Sequence, residues 1–265
     1  MVVKALHTIT EKDVDEIVDF IRGVVKRTGC KGIVMGVSGG LDSAVTAKLC
    51  ADAIGPDNVL GIFMPSVLTP REDRDHTEEM SRSWNIGYEV VNVQPAIEAF
   101  TKTLASDVRA PLERGNISAR CRMIVLYNRA KKLNYLVAGT SNRSEYMMGY
   151  FTKFGDGAYD IGPIIDLYKT QVWQVAEIIG VPKKVIEKVP TAGLWEGQTD
   201  EEEMGITYRH LDIILNGMSF GLSDEQIAKD AAIDISKVSE IRCTVSKMGH
   251  KRMQAYRPDI CFNDP

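Results

Sequence analysis

The chain has 265 residues, of which 44% are hydrophobic and 26% charged, and its formal net charge at pH 7 is −4. This is ordinary globular composition, and the small negative charge gives no basic footprint for nucleic acid. No apolar run approaches the roughly 20 residues that span a bilayer. The N-terminus lacks the apolar stretch of a signal peptide, so we expect a cytoplasmic protein that binds neither nucleic acid nor a membrane.

The cysteines and histidines exclude two kinds of site. The five cysteines lie far apart without a C-x-x-C pair, which predicts reduced thiols rather than a disulfide framework. The four histidines show no H-x-x-x-H spacing, so no zinc site is expected. Any metal should instead be a hard cation held by carboxylates and phosphates.

The first predicted elements alternate between helices and strands. Apolar residues at three- and four-residue steps predict a helix over 10–27, and Thr10 followed by Asp13 resembles a capping box. The apolar run 32–37 predicts a strand buried on both faces. The dense charge run at 71–79 is expected to be only a solvated helix face. Further strands are predicted at 59–64, 88–93 and 135–139, and further helices at 41–53, 71–84 and 117–133.

This alternation predicts an α/β fold with a doubly wound parallel sheet and right-handed crossovers. Ligands of such sheets bind beyond the carboxyl ends of the strands, where the turn after Val37 and the segment after Gly139 belong. Further along the chain two loops, at 150–160 and 190–200, alternate with helices that are expected to extend the same domain. These helices are predicted at 169–179, 202–215, 224–231 and 236–247.

A glycine-rich turn connects the first predicted strand to its helix. It comprises Gly36, Val37, Ser38, Gly39, Gly40, Leu41, Asp42 and Ser43. The adjacent glycines let the backbone approach a ligand, and their amides, with those of the helix start, form an anion cradle for phosphates. The Asp42 carboxylate belongs beside these phosphates, where a magnesium ion would be held. The turn has no lysine, unlike a Walker A loop, and its structural alternative is a tight turn capped before a helix.

The turn matches the S-G-G-x-D-S loop of the ATP-pyrophosphatase families, which cut ATP between its α- and β-phosphates, and we call residues 36–43 the PP-loop. The chain also resembles ammonia-dependent NAD synthetases through blocks at 116–123, 138–145, 151–157, 190–195 and 200–206. The resemblance implies an adenine nucleotide alpha-hydrolase-like fold. It further implies that ATP activates nicotinic acid adenine dinucleotide (deamido-NAD) as an acyl adenylate with release of pyrophosphate. Ammonia then displaces AMP to give NAD.

The resemblance also implies roles for individual residues. Asp42 and Glu145 would bind Mg²⁺. Besides the PP-loop, the residues implied to contact ATP are Thr140, Lys169 and Thr191. Those implied to hold deamido-NAD are Arg120, Lys153, Asp160, His250 and Lys251. Asp156 is the candidate for orienting or deprotonating the incoming amine, with an Asp-Gly turn as its structural alternative. Because the family's substrate site lies at a two-fold interface between subunits, a homodimer is implied.

The nitrogen source follows from what precedes the PP-loop. Only 35 residues precede Gly36, and they predict one helix, so we expect 1–265 to be a single synthetase domain without a glutaminase domain. Glutamine hydrolysis needs a thiol nucleophile that neighbouring side chains activate. Cys30 has no His, Glu or Lys near it that would activate its thiol in this way. Free ammonia is therefore the expected nitrogen source, and delivery by a partner subunit stays open.

Two other functions stay open at this point. A tRNA-thiolating ATP pyrophosphatase would require a basic face and usually paired cysteines, neither of which the composition favours. A non-catalytic module that binds adenine nucleotides would need the PP-loop but not Glu145, Lys169 and Thr191 in their blocks. Pyrophosphate release distinguishes an enzyme from such a module.

Overall fold

The structure is a computed structural model that describes residues 6–104, 111–191, 193 and 197–256. Within these ranges the strands are β1 (Gly32–Gly36), β2 (Val59–Phe63), β3 (Gly87–Val90) and β4 (Tyr135–Ala138). They form one parallel sheet in the order β3-β2-β1-β4. β2 and β3 are added on one side of β1, and β4 is added on the other side. The carboxyl ends of the neighbours β1 and β4 therefore form a topological switch point.

The helices of the described ranges surround this sheet and continue after it. They are α1 (Glu11–Thr28), α2 (Leu41–Ile54), α3 (Arg71–Ser83), α4 (Gln94–Thr103), α5 (Pro111–Leu133), α6 (Arg143–Met148), α7 (Lys169–Ile178), α8 (Lys183–Ile186), α9 (Asp200–Met204), α10 (Tyr208–Ser219), α11 (Asp224–Ala231) and α12 (Ile235–Lys247). Short 3₁₀ turns lie at Pro56–Asn58 and Met248–Arg252. None of these helices is both long enough and apolar enough to cross a bilayer.

Helices cover both faces of the sheet. Ile33 and Met35 of β1 pack with apolar side chains of α1, α2 and α7 on one face. Val34 points to the opposite face, where it packs with side chains of α4 and α5. A strand that is buried on both faces is expected to be continuously apolar, as the sequence of β1 is. The predicted α/β fold with a doubly wound parallel sheet is confirmed.

The C-terminal helices have a hydrophobic cluster of their own. Leu211, Ile227 and Ile241 contribute to it from α10, α11 and α12. Met148 at the end of α6 and Tyr168 just before α7 join the same cluster. The C-terminal helices are therefore anchored on the two segments that follow β4, which carry several of the predicted site residues.

The observed helices differ in number from the predicted ones. The single helix expected over 202–215 is wrong, because it is divided into α9 and α10. Gly205 adopts a left-handed conformation (φ +64°) that ends α9, and the Thr207 side chain accepts a hydrogen bond from the amide of His210 to begin α10. Helix α4 was not predicted, because Ile97 is its one buried residue and gives a weak apolar period.

The predicted boundaries shift at the edge strand. The strand expected over 88–93 ends at Val90, because the Asn92 side chain accepts a 2.9 Å hydrogen bond from the Gln94 amide and turns the chain into α4. The capping box of α1 is confirmed, since the Asp13 carboxylate accepts hydrogen bonds from the amide and the hydroxyl of Thr10 at 2.8 and 2.6 Å.

Candidate active site

The PP-loop connects the carboxyl end of β1 to the start of α2. Gly39 has φ +79°, and a Cβ there would lie 2.9 Å from both the Cα and the carbonyl oxygen of Asp73 at the start of α3. Only glycine fits this close approach in this conformation. Asp73 is buried, so the prediction that 71–79 is only a solvated helix face is wrong at this residue.

The two serines of the PP-loop shape the loop from within. The Ser43 hydroxyl donates to the Gly40 carbonyl at 3.0 Å and accepts from the Ser38 amide at 3.2 Å. The Ser38 hydroxyl accepts from the Gly40 amide at 3.3 Å. These two hydroxyls thus fix the curvature of the loop that exposes the glycine backbone.

Residues that follow β4 come together with Asp42 of the PP-loop. The Asn142 side-chain amide donates to Asp42 Oδ1 at 3.0 Å, and Lys169 Nζ forms an ion pair with Asp42 Oδ2. Asn142 also caps α6: its side-chain oxygen accepts from the Glu145 amide at 3.0 Å, and Glu145 Oε2 accepts from the Asn142 amide at 3.3 Å. Three predicted site residues from distant parts of the chain therefore face one another.

The charged groups of this cluster change one another's pKa values. Burial and the neighbouring Asp42 carboxylate raise the pKa of Glu145 well above its ordinary value, against the opposing effect of Lys169. Burial would lower the pKa of Lys169, whose side chain is 2% exposed, but Asp42 and Glu145 outweigh it and raise the pKa overall. Lys169 therefore stays an ammonium, which also lies 5.4 Å over the ring of Tyr208.

Two buried aspartates that sequence reasoning missed support this cluster. Asp212 accepts from the Ser144 hydroxyl at 2.5 Å and from the amide and hydroxyl of Thr170 at 2.9 and 2.7 Å, which joins the starts of α6 and α7 to α10. Asp200 accepts from the Tyr208 hydroxyl at 3.0 Å. A sequence clue existed for Asp212, because it lies four residues after Tyr208 on the buried stripe of α10.

Four of the residues assigned to the dinucleotide come together elsewhere. Arg120 donates to the Lys153 carbonyl at 3.2 Å, and Lys153 Nζ donates to the His250 carbonyl at 2.8 Å. Lys251 Nζ donates to the carbonyls of Gly149 and Phe151 at 2.7 and 2.8 Å. These lysines bind neutral carbonyls rather than carboxylates, so their positive charge remains available to an anionic ligand.

The remaining predicted residues lie on loops. Asp160 accepts from the Val137 amide at 2.8 Å, which fixes it at the edge of β4. Asp156 accepts a hydrogen bond from the Thr152 amide at 2.9 Å. Thr140 lies half-buried just beyond β4, and the exposed Thr191 accepts from the Gly193 amide at 3.1 Å. The structure thus locates Asp156 and Thr191 without bringing either into contact with the Asp42 cluster.

A parallel α/β sheet with an S-G-G-x-D-S loop after β1, and with acidic and basic groups converging beyond β4, defines an ATP-pyrophosphatase-type enzyme of the PP-loop fold. The family model described as NAD synthase matches residues 13–255. The chain belongs to the NAD synthase family, a family of ligases, and the resemblance noted from the sequence is confirmed.

Individual relatives agree with this assignment. The NH(3)-dependent NAD(+) synthetase of Thermococcus kodakarensis is 45% identical over 250 residues, which cover 93% of this chain and 96% of that protein. Among solved structures, the NMN synthetase of Francisella tularensis superposes with a TM-score of 0.84 at 34% identity, covering 95% of this chain and all of that one. The NH3-dependent NAD synthetase of Campylobacter jejuni gives a TM-score of 0.80 at 28% identity, covering 94% and 98%.

Proposed function

We propose that the chain catalyses the ATP-dependent amidation of deamido-NAD by ammonia, through an acyl adenylate, giving NAD, AMP and pyrophosphate. The observation that carries this proposal is the convergence of Asp42, Glu145 and Lys169 at the ends of β1 and β4, beside the PP-loop. Membership of the NAD synthase family and the names of its archaeal relatives support the same reaction. The reaction needs charge neutralisation and alignment of two anionic reactants more than it needs a nucleophilic side chain.

On the ATP side, comprising the PP-loop, Asp42, Glu145 and Lys169, the phosphates would lie on the glycine amides at the start of α2. Lys169 would donate to a phosphate oxygen once its ammonium is released from Asp42. The carboxyl group of the acceptor would attack the α-phosphorus, and pyrophosphate would leave. Thr140 and Thr191 are assigned to the nucleotide and the departing pyrophosphate through the family resemblance alone.

Asp42 and Glu145 fit a magnesium ion. Two carboxylates converge beside the phosphate cradle, and burial together with Asp42 raises the pKa of Glu145, a setting that a divalent cation would relieve. Within the described ranges no group of three or more His, Cys, Asp or Glu is arranged to hold a metal. Two carboxylates beside a phosphate cradle suit Mg²⁺, which binds through one or two carboxylates plus substrate phosphates. When bound, Mg²⁺ would neutralise charge on the phosphates.

On the acceptor side, comprising Arg120, Lys153, Asp160, His250 and Lys251, the cations would bind the pyrophosphate bridge of deamido-NAD. The positive charges of Lys153 and Lys251 are not neutralised by their hydrogen bonds, because these go to neutral main-chain carbonyls. Asp156 is our candidate for orienting the incoming ammonia, since its turn lies between Lys153 and Asp160 in the chain.

We also assign a homodimer to the active enzyme. Helices α4 and α5, with the residue that follows α4, expose Phe100, Leu104, Leu112 and Ile124, each about half accessible. Ile124 lies one helical turn after Arg120 on α5, so a second subunit packed on this surface would border the acceptor side. An Ile124→Glu variant should be monomeric by light scattering and should lose affinity for deamido-NAD while keeping affinity for ATP.

The decisive experiment is pyrophosphate release from Mg-ATP with each candidate acceptor, with and without ammonium. The Francisella neighbour is named an NMN synthetase, so the mononucleotide that corresponds to deamido-NAD is the competing acceptor to test. We expect NAD only when deamido-NAD, ATP and ammonium are all present. Product formation from the mononucleotide alone would replace the proposed acceptor, and no pyrophosphate under any condition would favour a binding module. Location in the cytoplasm and the single-domain organisation stay predictions.

A further inference from the structure

Two lysines on the segment that leads to Thr191 form ion pairs with α3. Lys184 on α8 pairs with Glu79, and Lys188, just after α8, pairs with Asp73. The two pairs differ in their surroundings. The side chains of Lys184 and Glu79 are 44% and 59% exposed, whereas those of Lys188 and Asp73 are only 19% and 11% exposed.

The less exposed pair, Lys188 and Asp73, is called the inner pair, and Lys184 and Glu79 form the outer pair. The inner pair lies at the rim of the phosphate cradle. Asp73 is the residue whose backbone packs so closely on Gly39 that a Cβ there would lie 2.9 Å from it. Asp73 is thereby in contact with the central glycine of the PP-loop, and Lys188 is held on its carboxylate. Asp73 therefore links the Lys188 ammonium to the PP-loop, because its backbone packs on Gly39 and its carboxylate binds Lys188.

An ATP polyphosphate in this cradle would change the balance of charge at the inner pair. It carries more negative charge than one carboxylate, and it would approach Asp73 as a like charge. An ammonium is a compact point charge with three donors, suited to phosphate oxygens. Lys188 also lies beyond the last residue of α8, so it can move without unwinding that helix.

We propose that Lys188 is a further phosphate-binding residue of the ATP site. It leaves Asp73 for the β- and γ-phosphates when ATP binds, and it brings Thr191, three residues further on, toward the departing pyrophosphate. Asp73 acts as the resting partner that holds the ammonium at the rim. This role rests on the proposed cleavage of ATP at the PP-loop.

The test is a pair of single variants and their double variant, with the outer ion pair as a matched control. ATP affinity is measured by calorimetry without acceptor, and KM and kcat are measured for ATP and for deamido-NAD. Lys188→Met should raise the Kd and KM for ATP about tenfold or more, equivalent to about 1.4 kcal/mol, with the KM for deamido-NAD unchanged. Lys188→Arg should restore most of the loss.

Asp73→Asn distinguishes two roles of Asp73. It is either a resting partner that releases Lys188 to ATP, or a clasp, by which we mean an ion pair that only holds the segment after α8 in place. As a resting partner Asp73 competes with ATP, so its neutralisation should tighten ATP binding about twofold or more, and should partly rescue Lys188→Met. A clasp predicts instead that Asp73→Asn weakens ATP binding as much as Lys188→Met does, and that result would overturn the proposal. So would an ATP affinity of Lys188→Met within twofold of the wild type.

The controls separate this proposal from the proposed function. Lys184→Met and Glu79→Gln remove the exposed pair on the same two elements and should leave ATP affinity within twofold. Equal losses in these variants would assign the effect to the packing of α8 and would overturn the role of Lys188. An inactive wild type that still binds ATP tightly, with the variants ordered as above, would reject the amidation reaction and leave the phosphate contact standing.

Discussion

The ATP side of the site is held by contacts between side chains, whereas the acceptor side is held by contacts from cations to main-chain carbonyls. On the ATP side Asp42 is bonded to Asn142 and Lys169, and Asp212 secures the elements behind them. On the acceptor side Lys153 and Lys251 donate to carbonyls of loops and of the 3₁₀ turn. One region is a preorganised, buried network, and the other is an accessible set of charges.

This difference reflects what each region must bind. A network of buried, mutually compensating charges is costly to disturb, so it keeps a fixed geometry for the reacting phosphate. Cations that are paired only with neutral carbonyls cost little to redirect toward an anionic ligand. We therefore expect substitutions on the ATP side to affect turnover or folding, and substitutions on the acceptor side to affect chiefly the KM for deamido-NAD.

The largest effect is expected for Asp42→Asn. The change keeps the volume and the hydrogen bond from Asn142 but removes the negative charge beside the phosphate cradle. We expect turnover to fall about a thousandfold, or about 4 kcal/mol of barrier, while the chain stays folded. The melting temperature should fall as well, because the buried Lys169 ammonium loses its ion-pair partner. Pyrophosphate release measures the turnover. Asp52→Asn, which alters an exposed helix pair with Lys48 on the same α2, is the control, and wild-type turnover in Asp42→Asn would refute the assignment.

A smaller effect, confined to the acceptor, is expected for Lys153→Met. The variant keeps the side-chain stem but loses the ammonium that donates to the His250 carbonyl. A charge-assisted hydrogen bond is worth about 1.5–3 kcal/mol, so the KM for deamido-NAD should rise about ten- to a hundredfold. The KM for ATP should not change. Lys247→Met at the exposed end of α12 is the control, and a parallel rise in both KM values would contradict the division into two sides.

Asp212→Asn should reveal the cost of disturbing the scaffold of the ATP side. Asn presents an NH₂ group where the carboxylate accepted from Ser144 and Thr170, so at least one buried donor loses its acceptor. The free energy of unfolding, measured by urea titration, should fall by about 1–3 kcal/mol. Asp166→Asn, whose side chain is 90% exposed shortly before α7, should leave it unchanged. Equal stability of the two variants would show that Asp212 is dispensable.

The parts of the site that the sequence predicts well are those tied to strand ends. A buried apolar run followed by S-G-G-x-D-S predicts β1, the PP-loop and the position of Asp42 beyond the sheet. Because β4 pairs directly with β1, Glu145 of the segment after β4 comes close to Asp42. The parallel sheet could be predicted from the alternation of strands and helices alone.

Other features depend on contacts that no local pattern encodes. Asp73 belongs to a charge run that is expected to be solvated, yet the approach of α3 to Gly39 buries it. Helix α4 escapes prediction because its outer face is apolar and exposed, which blurs the periodicity. The acceptor side joins residues from α5, the 150–160 loop and the C-terminal 3₁₀ turn, and only the folded chain brings these together.

The smallest effect concerns the pH dependence of the acceptor side. Burial lowers the pKa of Lys251 below the ordinary lysine value, although Asp156 partly opposes the change. Its ammonium should therefore lose its charge at a lower pH than an exposed lysine would. As pH rises through this lowered pKa, binding of deamido-NAD should weaken, by about threefold to tenfold for one charge at a partly exposed site.

Calorimetric titration of deamido-NAD between pH 7 and 10, without ATP or ammonium, measures this dependence free of the ionisation of ammonia. In Lys251→Arg the guanidinium stays charged over the whole range, so the profile should become flat. Binding of ATP should show no matching dependence, because the pKa of Lys169 is raised and its charge persists. A profile that is unchanged in Lys251→Arg would mean that another group titrates, and that Lys251 contributes position rather than charge.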